Sequence, residues 1–131
     1  MNQPPAIVCP AVDPGTSRLL ACIAEIEPFK GRRGHEGERG ILQFKEGTWC
    51  EMTELPFEDA DDPKVCMEVG AFALTKYTHQ LRQSGIEPSV LNLALAWKVG
   101  INGVILRHWI PMRDRNYAER VRALYCDPSF K

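Results

Sequence analysis

Chemistry has its firmest foothold in this chain at one carboxyl group. Glu27 follows Ile23 by four residues and Leu20 by seven, so in a helix it shares their core-facing stripe, whereas Glu25 turns to the opposite side with Arg18 and Ala21. Glu25 is therefore read as a solvated surface charge. Glu27 closes the helical run, where the negative end of the backbone dipole and partial burial both disfavour the ionised form. A carboxyl group kept protonated near neutral pH can act as a general acid. Taken alone, the position is better explained by a helix-terminating residue that hydrogen-bonds the following loop.

Other reactive side chains offer less. Glu36 and Glu38 lie in a charged, glycine-rich run from Lys30 to Gly40, where carboxylates are ordinarily solvated, although either is a candidate second carboxylate. His35, His79 and His108 share no ligand spacing, and Cys9, Cys22, Cys50, Cys66 and Cys126 contain no Cys-x-x-Cys pair, so no metal and no cofactor are expected. Cys22 and Cys66 fall in helical patterns, as small buried apolar residues do. Cys9, Cys50 and Cys126 can pair only if the fold brings them together, and reduced thiols are the expectation. His35, in a loop without a placed partner, is left out of the catalytic set.

The elements that must position these groups follow from proline, glycine and aspartate punctuation. Three prolines in residues 1–12 favour an extended arm, and Asp13-Pro14 then caps a helix through Leu19, Leu20, Ile23 and Ile26 that stops near Pro28. Asp62-Pro63 repeats the start signal for the longest helix, with Val65, Val69, Phe72 and Lys76-Tyr77 at helical spacing as far as Ser84-Gly85. Pro88 opens a helix apolar nearly all round, through Leu91, Leu93, Ala94, Leu95 and Trp97 to Gly100, and this predicts a central buried element. Asn102-Gly103 is expected to turn the chain. Asn116, with Glu119 three residues on, caps a last helix through Val121, Leu124 and Tyr125. A short strand is expected at Ile41–Phe44. The result is a mainly α (α+β) domain over residues 13–126, with at most a small β element and a short tail at 127–131.

With 16 Lys+Arg against 17 Asp+Glu, the 131-residue chain has a net charge of −1, so it lacks the basic excess that nucleic-acid binding demands. The longest nearly uncharged stretch, Pro88–Leu106, is broken by Lys98, Gly100, Asn102 and Gly103, which excludes a bilayer-spanning helix there. Met1-Asn2-Gln3-Pro4-Pro5 has neither a basic region nor an apolar run, so no ordinary signal peptide is expected.

Four segments in order resemble the lytic transglycosylase and goose-type lysozyme families: Ile23-Ala24-Glu25-Ile26-Glu27, then Gly40-Ile41-Leu42-Gln43-Phe44 with Thr48-Trp49, then Ala94–Gly100 with Gly103-Val104, and last Asn116–Val121. The resemblance covers residues 18–125 and implies a lysozyme-like fold in which Glu27 matches the catalytic glutamate. It further implies cleavage of the β-1,4 bond between N-acetylmuramic acid and N-acetylglucosamine in peptidoglycan. Gly40 and Gln43 would line the sugar cleft, Trp97 would stack on sugar or pack in the core, and Tyr117 would reach toward Glu27. Phe44 and Trp49 are read as core. Transglycosylases of this type use a single glutamate as acid and then base, and form a 1,6-anhydro sugar. Glu36 or Glu38 would serve a hydrolytic, lysozyme-like variant. Pro28 stands where the family usually has serine and Lys98 where it usually has asparagine. A lysine beside the acid would favour the carboxylate unless its ammonium points outward. These departures motivate a further alternative, a catalytically impaired peptidoglycan-binding or structural component of a phage particle or secretion machine. With no ordinary signal peptide expected, action at the cell wall or periplasm would use phage release or a specialised export route.

Overall fold

The computed structural model describes residues 14–106 and 109–131. The extended arm expected at 1–12, the Asp13 cap, Cys9 and His108 lie outside the described residues. Helices dominate: α1 (Pro14–Ile26), α2 (Glu46–Met52), a 3-10 turn (Phe57–Asp61), α3 (Pro63–Gln83), α4 (Val90–Val99), α5 (Ile101–Ile105) and α6 (Met112–Tyr125). Among the described residues the β content is two isolated antiparallel bridges, Gly31 with Gly40 and Arg39 with Phe44.

Local chemistry fixes the ends of α3 and α4. The Asp62 carboxylate accepts from the Lys64 and Val65 amides at 2.9 and 3.3 Å, with Pro63 in the first turn, so α3 starts where orphan amide donors meet an acceptor. It closes on Gly85, whose φ of +75° lets the Ile86 amide reach back to the Leu81 carbonyl at 2.9 Å. The Ser89 hydroxyl caps α4 by accepting from the Asn92 amide at 3.1 Å, and Gly100 at φ +91° ends it.

Packing explains the core. α4 rests chiefly on α6, with α5 and α3 beside it, and α1 packs on α6 and α3. Leu20, Cys22 and Ile23 from α1 meet Cys66, Leu74 and Leu81 from α3 and Val121 from α6, all fully buried. α4 is only partly enclosed: Leu93, Ala94 and Ala96 are buried, while Leu91, Leu95 and Trp97 are half-buried. The buried stripe of α3 runs through Cys66, Val69, Ala73, Tyr77 and Leu81, which leaves Phe72 53% exposed and off the core.

Several expected boundaries move. Ile41–Phe44 is a tight turn, because Gly40 and Gln43 both adopt positive φ, +82° and +53°, and a strand cannot contain them. Asn102-Gly103 lies inside α5, since the left-handed Gly100 breaks the helix and lets a new turn begin at once. α6 starts four residues before Asn116, with Pro111 as its cap and Asp114 buried in its first turn. Glu119 pairs with Arg122 at 2.8 Å and does not reach back to Asn116. The expected tail is tied down. Arg18 donates to the carbonyls of Tyr125, Asp127 and Phe130 at 2.8, 2.7 and 2.6 Å, and its guanidinium lies over the Tyr125 and Phe130 rings. Arg18 thus does not face Glu25, which pairs with Lys30 at 3.6 Å.

Candidate active-site cleft

Pro28 has no amide hydrogen to continue α1, so Glu27 makes the last helical bond, its amide donating to the Ile23 carbonyl at 2.9 Å. Its side chain leaves the helix on the core side and is only 6% exposed. α6 packs against α1 and brings the Tyr117 hydroxyl to Glu27, to which it donates at 2.7 Å on Oε2. Tyr117 is itself buried. Burial pushes the Glu27 pKa above its ordinary 4.5, against the opposing pull of the Tyr117 bond and of Lys98, and the Glu38 charge pushes the same way as burial. Burial also holds the Tyr117 phenol well above its ordinary range, reinforced by the neighbouring carboxyl, so the phenol stays a donor. The Lys98 side chain is exposed and its ammonium lies 5.0 Å from the Tyr117 ring centroid, where it is attracted to the ring face. Lys98 therefore tempers the burial effect on Glu27 without overcoming it.

The opposite wall is the 40–44 turn. Arg39 and Phe44 exchange two backbone hydrogen bonds of 3.0 Å, and the Gln43 amide donates to the Gly40 carbonyl at 3.0 Å. Leu42 and Phe44 are driven into the core, and the left-handed backbone at Gln43 turns its side chain to the opening. Gln43 Nε2 donates to the carbonyls of Arg32 and Gly40 at 2.7 and 3.0 Å. Two carbonyl acceptors fix which end of the amide is NH₂, and leave Oε1 over Gly34 without a protein donor among the described residues. The indole of Trp97 donates to the Leu42 carbonyl at 3.3 Å, which joins α4 to this turn.

Between these walls lies a cleft of about 320 Å³, lined by Glu27, Glu38, Gln43, Thr48, Trp97 and Lys98 among others. It combines a protonatable carboxyl, a preset amide and an aromatic edge, a set suited to a polyhydroxylated ligand with an acid-labile bond.

The cleft gathers some of the residues singled out in the sequence and leaves others apart. Glu27, Gln43 and Trp97 line the cleft, while Tyr117 stands behind Glu27 and holds it. Gly40 does not line the cleft: it is buried, and a Cβ there would overlap the Ala60 carbonyl oxygen and come within 2.9 Å of Cys66 Sγ. Its function is to let the turn seat against the segment before α3. Of the two loop carboxylates, Glu38 lines the cleft, whereas Glu36 is exposed and 3.5 Å from Lys45. His35 packs edge-on against Phe29 with centroids 4.9 Å apart. Phe44 and Trp49 are core residues, in edge contact at 5.1 Å, and Phe44 also borders the cleft. Cys22 and Cys66 are buried free thiols, and Cys50 and Cys126 are exposed free thiols.

Sequence reasoning did not find Tyr77 and Thr48, which also border the cleft. Tyr77 carried a signal, a polar-tipped aromatic on the core stripe of α3. Thr48 stands beside Trp49 in the resemblance with no role assigned to it, and nothing in its spacing places it at the cleft, because α2 has no capping side chain to reveal the helix. Among the described residues no helix is long and apolar enough to cross a membrane, and no three His, Cys, Asp or Glu side chains are grouped as metal ligands. No protein-family model, no curated protein and no solved structure matches the chain.

Proposed function

We propose that the chain is a lysozyme-like lytic transglycosylase that cleaves the β-1,4 bond between N-acetylmuramic acid and N-acetylglucosamine in peptidoglycan, with Glu27 as its general acid and base. The observation that carries this reading is the buried Glu27 carboxyl, held by Tyr117 at 2.7 Å and opening on a cleft with Gln43 across from it. Protonated Glu27 gives its proton to the glycosidic oxygen as the C1–O bond breaks, and the leaving sugar departs as an alcohol. The carboxylate so formed, stabilised by the Tyr117 hydroxyl, then takes the proton of the sugar's own 6-hydroxyl as that oxygen bonds to C1. Glu27 is thereby restored and a 1,6-anhydro sugar is released. No second carboxylate is consumed in this sequence, and Gln43 Oε1 would accept from an acetamido N–H.

A hydrolytic reading is favoured by one observation, that Glu38 lines the same cleft and can serve as base for a water. Mass spectrometry of digested peptidoglycan separates the two, since anhydro-muropeptides mark transglycosylation and reducing ends mark hydrolysis. Glu27→Gln is expected to slow clearing of a peptidoglycan suspension by roughly 10²- to 10⁴-fold. An unchanged rate would remove Glu27 from the mechanism. Retention on wall material with no fragments released from the unaltered protein would leave a binding module.

A further inference from the structure

A second groove of about 300 Å³ continues from the cleft, and Thr48, Tyr77, Val99 and Gly100 line both. Its own walls carry charge and an unmet acceptor. Glu51 from α2 and Lys76 from α3 are exposed, carry opposite charge, and among the described residues neither has an ion-pair partner within 4.0 Å. Gln80, one turn along α3 from Lys76, lines the same groove, and its Oε1 is buried without a hydrogen-bond donor. A buried amide oxygen left unmet is costly, so turning it to a ligand N–H in the groove relieves a deficit of the free protein. Asn102, on the first turn of α5, adds a polar side chain at the far wall.

The first cleft also carries charges of both signs, Glu38 and Lys98 among them, beside its general acid and an amide whose NH₂ is already held by two carbonyls. What the second groove adds is a buried acceptor that meets no donor. Unpaired charges of both signs beside an unmet amide acceptor suit a chain with peptide N–H groups, free carboxylates and a free amine. Resting on the proposed function, we infer that this second groove binds the stem peptide of the peptidoglycan substrate, with Lys76 toward a stem carboxylate, Glu51 toward a stem amine and Gln80 toward a peptide N–H. The cleaved bond and the peptide then occupy contiguous sections of one surface, so the protein would select glycan strands that carry stems over bare ones.

The test uses the whole chain and two substrates, intact peptidoglycan strands and the same strands stripped of stems by an amidase. The quantity read is the ratio of kcat/KM on the two. The unaltered protein is expected to prefer stem-bearing strands, and the double variant Lys76→Gln with Glu51→Gln to lower that ratio roughly three- to tenfold. Both side chains are exposed, so the variant is expected to fold normally. An unchanged ratio, or an equal loss on both substrates as a further sugar subsite would give, overturns the inference. If neither substrate yields fragments, the proposed function fails instead, and the groove is then judged by calorimetry with a synthetic stem tetrapeptide. Binding weakened roughly three- to tenfold in the double variant sustains it, and equal or absent binding in both proteins overturns it.

Discussion

Replacing Tyr117 with phenylalanine removes one oxygen and keeps the ring that packs between α6 and α1. What is lost is the 2.7 Å donor to Glu27 Oε2. A hydrogen bond to a charged acceptor contributes about 1.5–3 kcal/mol, and one to a neutral acceptor about 0.5–1.5 kcal/mol. The ionised carboxyl therefore loses more than the protonated one. The Glu27 pKa, which burial already raises and the tyrosine bond restrains, moves further up. Because Glu27 donates only while protonated, the rate falls as pH rises through its pKa, and in the variant this limb shifts to higher pH. Fragment release measured against pH reads the shift, and a carboxyl ¹³C titration of Glu27 reads it without relying on turnover. Stability tells the same story: the variant loses about 1.5–3 kcal/mol where Glu27 is ionised and less where it is protonated. A limb that stays in place or moves to lower pH would refute the argument that Tyr117 chiefly stabilises the charged form.

Three further outcomes follow from the same geometry. Glu27→Gln removes a group whose pKa is raised in the fold, so its contribution to stability is complete below the ordinary 4.5 and is lost as pH rises through the folded value. The variant is expected to melt increasingly above the unaltered protein from acid to alkaline pH, and a constant difference in Tm would contradict this. Gly40→Ala, at φ +82° with the Ala60 carbonyl in its way, is expected to cost about 2–4 kcal/mol in urea unfolding; a loss under 0.5 kcal/mol, within the ordinary range for surface changes, would show that the turn is not seated there. Arg18→Ala releases three strong carbonyl contacts and is expected to cost about 2–3 kcal/mol, with faster amide exchange at residues 126–131. Unchanged exchange would mean that the segment is held by something else.

How far the sequence could be read depends on how local the deciding contact is. The α3 start at Asp62-Pro63 was legible because the cap is made by adjacent residues, the Asp62 carboxylate and the amides of Lys64 and Val65. The burial of Glu27 was legible from its stripe with Ile23 and Leu20. Gly40 was misplaced at the cleft because its constraint comes from Ala60, which no spacing announces. α2 went unseen because its N-cap, Lys45, has no side-chain bond, and Gly47 depresses helix propensity within it. Asn116 misled in the other direction: Asn-x-x-Glu copies a capping pattern, yet Pro111 and the buried Asp114 begin α6 earlier. Lys98 shows the limit of pairwise electrostatics read from sequence, since its charge is countered by a desolvation that only the fold supplies.

The Trp97 indole that ties α4 to the Leu42 carbonyl at 3.3 Å has a thermodynamic corollary. It cross-braces the two walls before any guest arrives, so their ordering is completed during folding and little conformational entropy is left to lose on association. The heat-capacity change of binding is then expected to follow the apolar area the guest covers, with no added contribution from coupled folding.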